Sequence, residues 1–184
     1  MKKLMMIAAM MIAAISANAQ NEVGQITLQP KVGINISKIT GEGTKMTAGL
    51  AAGVEAEYGV AENFGITAGV LYSMQGFKGE GADKKNAMDY INIPILAQYY
   101  VVKGLAIKAG VQPGFLVRAK YDGNSFSDAC KKFDFSIPVG LSYEYQNFVL
   151  DARYNIGLTK TMKDASEKTK NSVIQITLGY KFAL

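Results

Sequence analysis

The residue types that most often carry enzyme chemistry are scarce in this sequence of 184 residues. It has no histidine, the commonest general base at neutral pH. A Ser-His-Asp or Cys-His nucleophilic site is therefore impossible within it. The single cysteine, Cys130, has only Lys131 and Lys132 beside it to activate it, and we interpret it as an incidental loop thiol that forms no internal disulfide. We expect no enzyme activity and no cofactor.

The carboxylates do not form a recognisable metal or acid–base site either. Glu55 and Glu57 lie two residues apart on one face of a predicted strand, where basic side chains on other strands favour ion pairs over catalysis. The loop aspartates are scattered and lack the spacing of a calcium loop. They are Asp83, Asp122, Asp128 and Asp164. We expect no bound metal, and no glycine loop of the phosphate-binding type occurs.

The first nineteen residues read as a cleavable signal peptide. Lys2 and Lys3 precede an apolar stretch over residues 4–15, and Ala17-Asn18-Ala19 matches the small-x-small pattern of a cleavage site. A membrane anchor is the alternative, but this stretch is shorter than the ~20 residues that span a bilayer. The mature chain, residues 20–184, would then be one domain. Removing two lysines leaves 18 Lys and Arg against 15 Asp and Glu, too mild a balance to indicate nucleic-acid binding.

From residue 26 onward, apolar and polar residues alternate with a period of two, which is typical of strands with unlike faces. Eight segments follow this pattern: 26–38, 46–58, 64–76, 89–102, 105–118, 133–145, 148–158 and 173–183. Long and short connections alternate between them, and Lys103-Gly104 and Gln146-Asn147 are two-residue turns. The sequence therefore predicts an all-β fold, an eight-stranded antiparallel up-and-down transmembrane barrel with its long loops at one end.

Alternation alone does not say which face points inward, and a soluble lipocalin-like barrel would turn the apolar face inward. Two features of the polar face favour placing it in the lumen. It carries many glycines, which suit the cramped interior of a barrel of this size. It also carries five basic and five acidic residues, as a closed interior requires of buried charges. The predicted lumen network is Lys31, Lys108, Arg118, Arg153 and Lys181 with Glu55, Glu57, Asp134, Glu144 and Asp151.

Aromatic residues of the apolar face concentrate towards the two ends of the predicted strands, as in the girdles of membrane barrels. Tyr180 and Phe182, near the end of the last strand, are the candidate signal for the barrel-assembly machinery. Four prolines fall inside strands, where each removes a ladder donor, so we expect bulges or local breaks there. They are Pro30, Pro94, Pro113 and Pro138.

Several segments resemble the outer-membrane β-barrel family of Bacteroidetes that is called PorT-like. They are DYINIPILAQYY (89–100), LAIKAGVQPGFLV (105–117), FDFSIPVGLSYEY (133–145), LDARYNIGLTK (150–160) and VIQITLGYKF (173–182). The resemblance covers essentially the whole mature chain and implies an eight-stranded barrel in the outer membrane. The founding member is linked to a secretion system, and most members have no assigned role. The chain departs from the usual aromatic terminus, since Ala183 and Leu184 follow Phe182.

Two functions remain open, with a lipid-modifying or proteolytic barrel enzyme disfavoured by the missing histidine. The first is a non-enzymatic barrel that acts in structure or surface interaction through four long outer loops. The second is a narrow pore or an accessory component of a secretion or uptake complex. Both place the termini in the periplasm and the long loops outside the cell. The expected partners are outer-membrane lipid and the barrel-assembly machinery, joined in the second function by envelope or secretion-complex proteins. We expect no nucleic-acid partner and identify no small-molecule ligand.

Overall fold

The structure, a computed structural model, describes residues 23–39, 44–79, 86–121, 124–125, 130–160 and 170–184. The predicted signal peptide, residues 1–19, lies outside them, so its cleavage stays a prediction. In the described part of the chain, no helix is long and apolar enough to cross a membrane.

Eight barrel strands run antiparallel to their neighbours in chain order. In that order they are Ile26–Ile39, Thr47–Ala61, Phe64–Gly79, Asn86–Asn92 continued by Ile95–Val102, Leu105–Tyr121, Phe133–Tyr145, Phe148–Gly157, and Asn171–Tyr180 continued by Phe182–Ala183. Two short pieces extend the sheet at the long-loop end, Thr44–Lys45 beside the third strand and Asn124–Ser125 beside the fifth.

The sheet closes because the eighth strand also pairs with the first. Ile34 lies opposite Ile176, and the ladder between these strands runs from Lys31 to Ile39. Among the described strands, closure thus replaces the two free edges of the sheet by a paired ladder, as a lipid environment requires. The predicted fold class, an eight-stranded up-and-down barrel, is confirmed.

The two faces of the barrel differ in polarity, as insertion into lipid requires. On the eighth strand, Leu178 is 51% exposed whereas its neighbour Thr177 is 2% exposed. The same contrast holds around the barrel: large apolar side chains cover the outside, and most of the buried side chains are polar or charged. A water-soluble protein does not expose an apolar surface of this extent. The lipocalin-like alternative, with the apolar face inward, is therefore wrong for this chain.

The short connections are tight turns at the end of the barrel opposite the long loops. Lys103-Gly104 and Gln146-Asn147 form turns as predicted, with positive φ at Gly104 (81°) and Gln146 (56°). The remaining short connection, predicted over 59–63, narrows to residues 62–63 because the second strand continues to Ala61.

The strand prolines interrupt the ladders without changing their register. Ile93 and Pro94 split the fourth strand, and on both sides the pairing resumes in the same register, with Ile95 opposite Ala68 and Val111. Pairing is also skipped opposite Pro30 and Pro138, so local breaks occur as expected. Pro113 remains paired with Phe135.

One bulge does change the alternation. In the fifth strand Leu116 lies opposite Tyr90, but Arg118 lies opposite Asp89, so Val117 is an extra residue. An extra residue moves every later side chain of that strand to the other face. Nothing in the sequence near Val117 marks this position.

Candidate functional site: the charged lumen

The centre of the lumen holds a cluster of three cations and two carboxylates, which we call the central cluster. Arg153 joins the two acids: its Nη1 and Nη2 donate to Glu55 (2.5 and 2.7 Å), and its Nε and Nη2 donate to Asp151 (2.6 and 2.7 Å). Lys31 Nζ lies 2.8 Å from Glu55 and 3.5 Å from Asp151. Lys108 Nζ lies 2.9 Å from Asp151.

Each member of the central cluster is at most 5% exposed. Two bidentate interactions of one guanidinium give the cluster a fixed geometry. Its formal net charge is +1, from three cations and two carboxylates.

Glycines provide the room for these long side chains. Lys31 faces Gly53 and Gly179 across the two neighbouring ladders, Glu55 faces Gly69, and Lys108 and Arg153 both face Gly140. A barrel of eight strands has an interior just wide enough for its own side chains. The glycines at these positions therefore leave space in which the long charged side chains can extend across the lumen.

A second group, the turn-end cluster, lies nearer the short turns. Lys181 Nζ lies 3.0 Å from Glu57 and 2.6 Å from Glu144. The Tyr100 hydroxyl accepts a hydrogen bond from Lys181 (3.0 Å) and donates to Glu57 (2.9 Å). Gln98 also donates to Glu57 (3.3 Å). One cation and two carboxylates give this cluster a formal net charge of −1, opposite to that of the central cluster.

Towards the long loops the lumen also contains a group of buried apolar side chains. Buried side chains form a cap over the polar interior, and we call them the apolar cap. They are Ile39, Met88, Tyr90, Ala119 and Cys130, with Leu116 packed against them. Cys130 was predicted as an incidental loop thiol, and the structure places it in this cap with no exposed surface.

Eight of the ten predicted network residues meet in the central and turn-end clusters. Asp134 does point inward, but it accepts hydrogen bonds from Thr159 and from Asn171 (3.2 Å) instead of joining a described cation. The loop aspartates named above, and with them the loop tips, lie outside the described residues.

Arg118 is a correction, because the structure does not place it in the lumen. The bulge at Val117 turns its side chain outward, where it is 44% exposed and lies 2.5 Å from Asp89. The Tyr72 hydroxyl donates to the same carboxylate (2.6 Å). Asp89 is buried on the outward side, and sequence analysis missed it as the partner of Arg118. Alternation alone assigns Arg118 to the inner face because it does not account for the bulge.

The candidate assembly residues lie on the outward side near the turns. Tyr180 faces Phe148 across the ladder with ring centroids 5.2 Å apart, and it lies 4.7 Å from the ring of Phe182. Phe182 pairs with Leu28 of the first strand. These rings belong to the aromatic girdle at the turn end, and their role in assembly stays a prediction.

The lumen geometry is suited to packing. Among the residues that the structure describes, no group of three or more His, Cys, Asp or Glu side chains could hold a metal ion. In both clusters the carboxylates are held by cations, so they have ion-pair partners in place of a substrate. A narrow lumen crossed by such side chains has the character of a filled interior.

Comparisons with known proteins agree with this architecture. Ail, the attachment invasion locus protein of Yersinia pestis, has a similar structure with a TM-score of 0.56 at 17% identity, covering 88% of this chain and 100% of Ail. Neisserial surface protein A is similar with a TM-score of 0.55 at 13% identity, covering 85% and 97%. OprG of Pseudomonas aeruginosa is similar with a TM-score of 0.50 at 15% identity, covering 88% and 97%. At these identities the likeness shows the fold alone.

No curated protein matches the chain in sequence. The sequence model of one family does match it, over residues 18–163, which is most of its length. Together with the closed barrel and its outward apolar face, this match shows that the chain belongs to the outer membrane protein beta-barrel domain family.

Proposed function

We propose that this protein is a non-enzymatic, non-conducting outer-membrane barrel that acts as a structural or surface-interaction scaffold through its long loops. The observation that carries the proposal is the filled lumen. The central cluster, the turn-end cluster and the apolar cap follow one another along the interior. An ion crossing this lumen would have to separate buried ion pairs, which costs several kcal/mol for each uncompensated charge.

The orientation is part of the proposal. Short turns and both chain ends would face the periplasm, and the long loops would face the outside, as is usual for bacterial barrels. The placement of both chain ends on one side is supported by the pairing of Phe182 with Leu28. This pairing brings the end of the last strand next to the start of the first strand, at the end of the barrel with the short turns. Surface interaction would then rest on the loops, because they are the variable, solvent-facing part of such a barrel.

Conductance in planar bilayers tests the scaffold function. We expect pure mature protein, shown to be inserted by heat-modifiable gel mobility, to give no steady current. A wide porin inserted under the same conditions serves as the positive control. A steady ion-selective current from the pure protein would refute the scaffold proposal and favour the narrow-pore alternative.

Labelling on intact cells tests the orientation. In a Cys130→Ser background, Lys160→Cys at the long-loop end is expected to react with a membrane-impermeant maleimide, whereas Glu62→Cys in a short turn is not. Both native side chains are exposed, so accessibility to the reagent depends on the side of the membrane. Labelling of Glu62→Cys alone would reverse the proposed orientation.

A second candidate function is that of an accessory component in an envelope complex. It is favoured by the resemblance of segments such as DYINIPILAQYY (89–100) to PorT-like barrels, whose founding member is linked to secretion. Affinity purification from gently solubilised membranes would test it. Recovery of a stable, large envelope complex supports this role, and recovery of the barrel alone supports the independent scaffold.

A further inference from the structure

Four exposed basic side chains lie close together on two adjacent strands at the long-loop end of the barrel. Lys120 is exposed near the end of the fifth strand, and the exposed residues Lys131 and Lys132 directly precede the sixth strand. Arg118, 44% exposed, lies on the same stretch of wall. These four residues form what we call the basic rim.

Backbone pairing brings the two parts of the basic rim together. The fifth and sixth strands are neighbours, and the Leu116 amide donates to the Lys132 carbonyl (2.8 Å). The cations therefore lie on adjacent strands and not on distant loops.

In the part of the chain that the structure describes, no carboxylate pairs with the lysines of this rim. Among the described residues at the long-loop end, the acids are Asp89 and Asp134, both buried. Asp89 is bound by Arg118 and Tyr72 on the outward side. Asp134 points into the lumen, where it accepts from Asn171. Among the described residues, the lysines of the basic rim thus contribute positive charge at the surface.

An aromatic group next to the basic rim indicates its height in the membrane. Phe115 and Phe133 lie opposite each other with ring centroids 5.6 Å apart, and Phe135 lies 6.5 Å from Phe133. Aromatic girdles lie at the level of the lipid headgroups. Lys132 directly precedes Phe133, and Arg118 follows Phe115 by three residues, about 10 Å along a strand. The cations therefore lie at and just above the headgroup level.

We propose that the basic rim binds the phosphate groups of anionic lipids in the leaflet at the long-loop end of the barrel. Ammonium and guanidinium groups are the protein groups that pair with phosphate. Their place on the side wall, beside rings that contact lipid, favours a lipid phosphate over a soluble polyanion, which would meet the loop tips first. This proposal rests on the membrane placement of the barrel but not on its lack of conductance.

The test compares two triple variants of the full mature chain that lose the same charge at the same end of the barrel. The first is Lys120→Gln/Lys131→Gln/Lys132→Gln. The control is Lys38→Gln/Lys45→Gln/Lys170→Gln, on the first strand, on the short piece beside the third strand and just before the eighth strand. Arg118 is left unchanged because its loss would leave the buried Asp89 carboxylate without its cation. Heat-modifiable gel mobility confirms that each variant is folded.

Binding is measured by native mass spectrometry with dilauroyl phosphatidic acid, and with dilauroyl phosphatidylcholine as the zwitterionic reference. Each cation near an anionic membrane surface contributes roughly a fivefold change in affinity. We expect the rim variant to bind phosphatidic acid at least about tenfold more weakly than wild type, and the control variant less than about threefold more weakly. Phosphatidylcholine binding should not change.

Three outcomes would overturn the proposal. Equal losses in both variants would mean that overall charge, and not the basic rim, attracts the lipid. Equal wild-type affinity for both lipids would mean that phosphate charge is not recognised. Displacement of phosphatidic acid by inorganic phosphate at equal concentration would identify a free-phosphate site. A conducting barrel would instead refute the scaffold function and leave this lipid preference unaffected.

Discussion

The net charge of the central cluster predicts an asymmetry between removing a cation and removing an acid. The cluster has three cations and two carboxylates, with all ion-pair distances between 2.5 and 3.5 Å. Lys108→Met keeps a similar side-chain length and brings the net charge from +1 to 0. Asp151 would still be held by Arg153 at 2.6 Å and by Lys31 at 3.5 Å.

The opposite change raises the positive charge. Asp151→Asn conserves shape but leaves three buried cations facing Glu55 alone, a net charge of +2. Removing one partner of a buried pair costs about 3–5 kcal/mol, because a charge is left uncompensated. Replacing a whole buried ion pair by apolar residues of similar volume is often close to neutral, and the large cost arises when a charge is left uncompensated. Lys108→Met leaves both carboxylates of the cluster with cations, so no charge is left uncompensated. We therefore expect Asp151→Asn to cost about 3–5 kcal/mol of unfolding free energy and Lys108→Met less than about 1 kcal/mol.

The assay is equilibrium unfolding by urea in lipid vesicles, followed by the gel band of the folded barrel. This readout suits a chain without tryptophan. Midpoint and slope are measured together, so that a change in stability is separated from a change in the unfolded state. If Lys108→Met destabilises the barrel as much as Asp151→Asn does, the argument from net charge is refuted.

Two further predictions concern the wall of the barrel. Leu178→Arg places a charge on the lipid-facing side, so it should cost about 2–4 kcal/mol of unfolding free energy and impair insertion. Thr177→Arg should instead destabilise the barrel by crowding the lumen. A soluble, folded Leu178→Arg protein would contradict the outward assignment of Leu178. Gly33→Ala should reduce the yield of folded barrel, because a Cβ there would overlap the Ile176 carbonyl oxygen, while Gly24→Ala, with open space around it but positive φ, should have a smaller effect on the same gel assay.

Alternation made most of the fold predictable, since a strand inserted between lipid and a narrow lumen has to carry unlike faces. The residues of the last strand, from Val173 to Phe182, have the faces that their order predicts. The glycines opposite Lys31 and Arg153 were also visible as an excess of glycine on the polar face, because a narrow interior needs space for long side chains.

The features that could not be predicted from the sequence arise from a single inserted residue and from contacts between strands that are distant in the chain. The extra residue at Val117 moves Arg118 outward, and only the pairing with Asp89 reveals it. Alternation likewise cannot divide the inward charges between a central and a turn-end cluster, since that requires the stagger between strands. The apolar cap was missed because Cys130 and Ile39 lie far apart in the sequence and meet only in the folded barrel.

The central claim is that the apolar face of a closed barrel contacts lipid, and spin labels on the last strand test it most directly. Labels at Ile174, Ile176 and Leu178 are compared with one at the exposed turn residue Lys103 in vesicles. We expect dissolved oxygen to relax the three strand labels more strongly than a water-soluble nickel complex does, and the label at Lys103 to show the reverse. Strong relaxation of all three strand labels by the nickel complex would place that face in water and contradict the account.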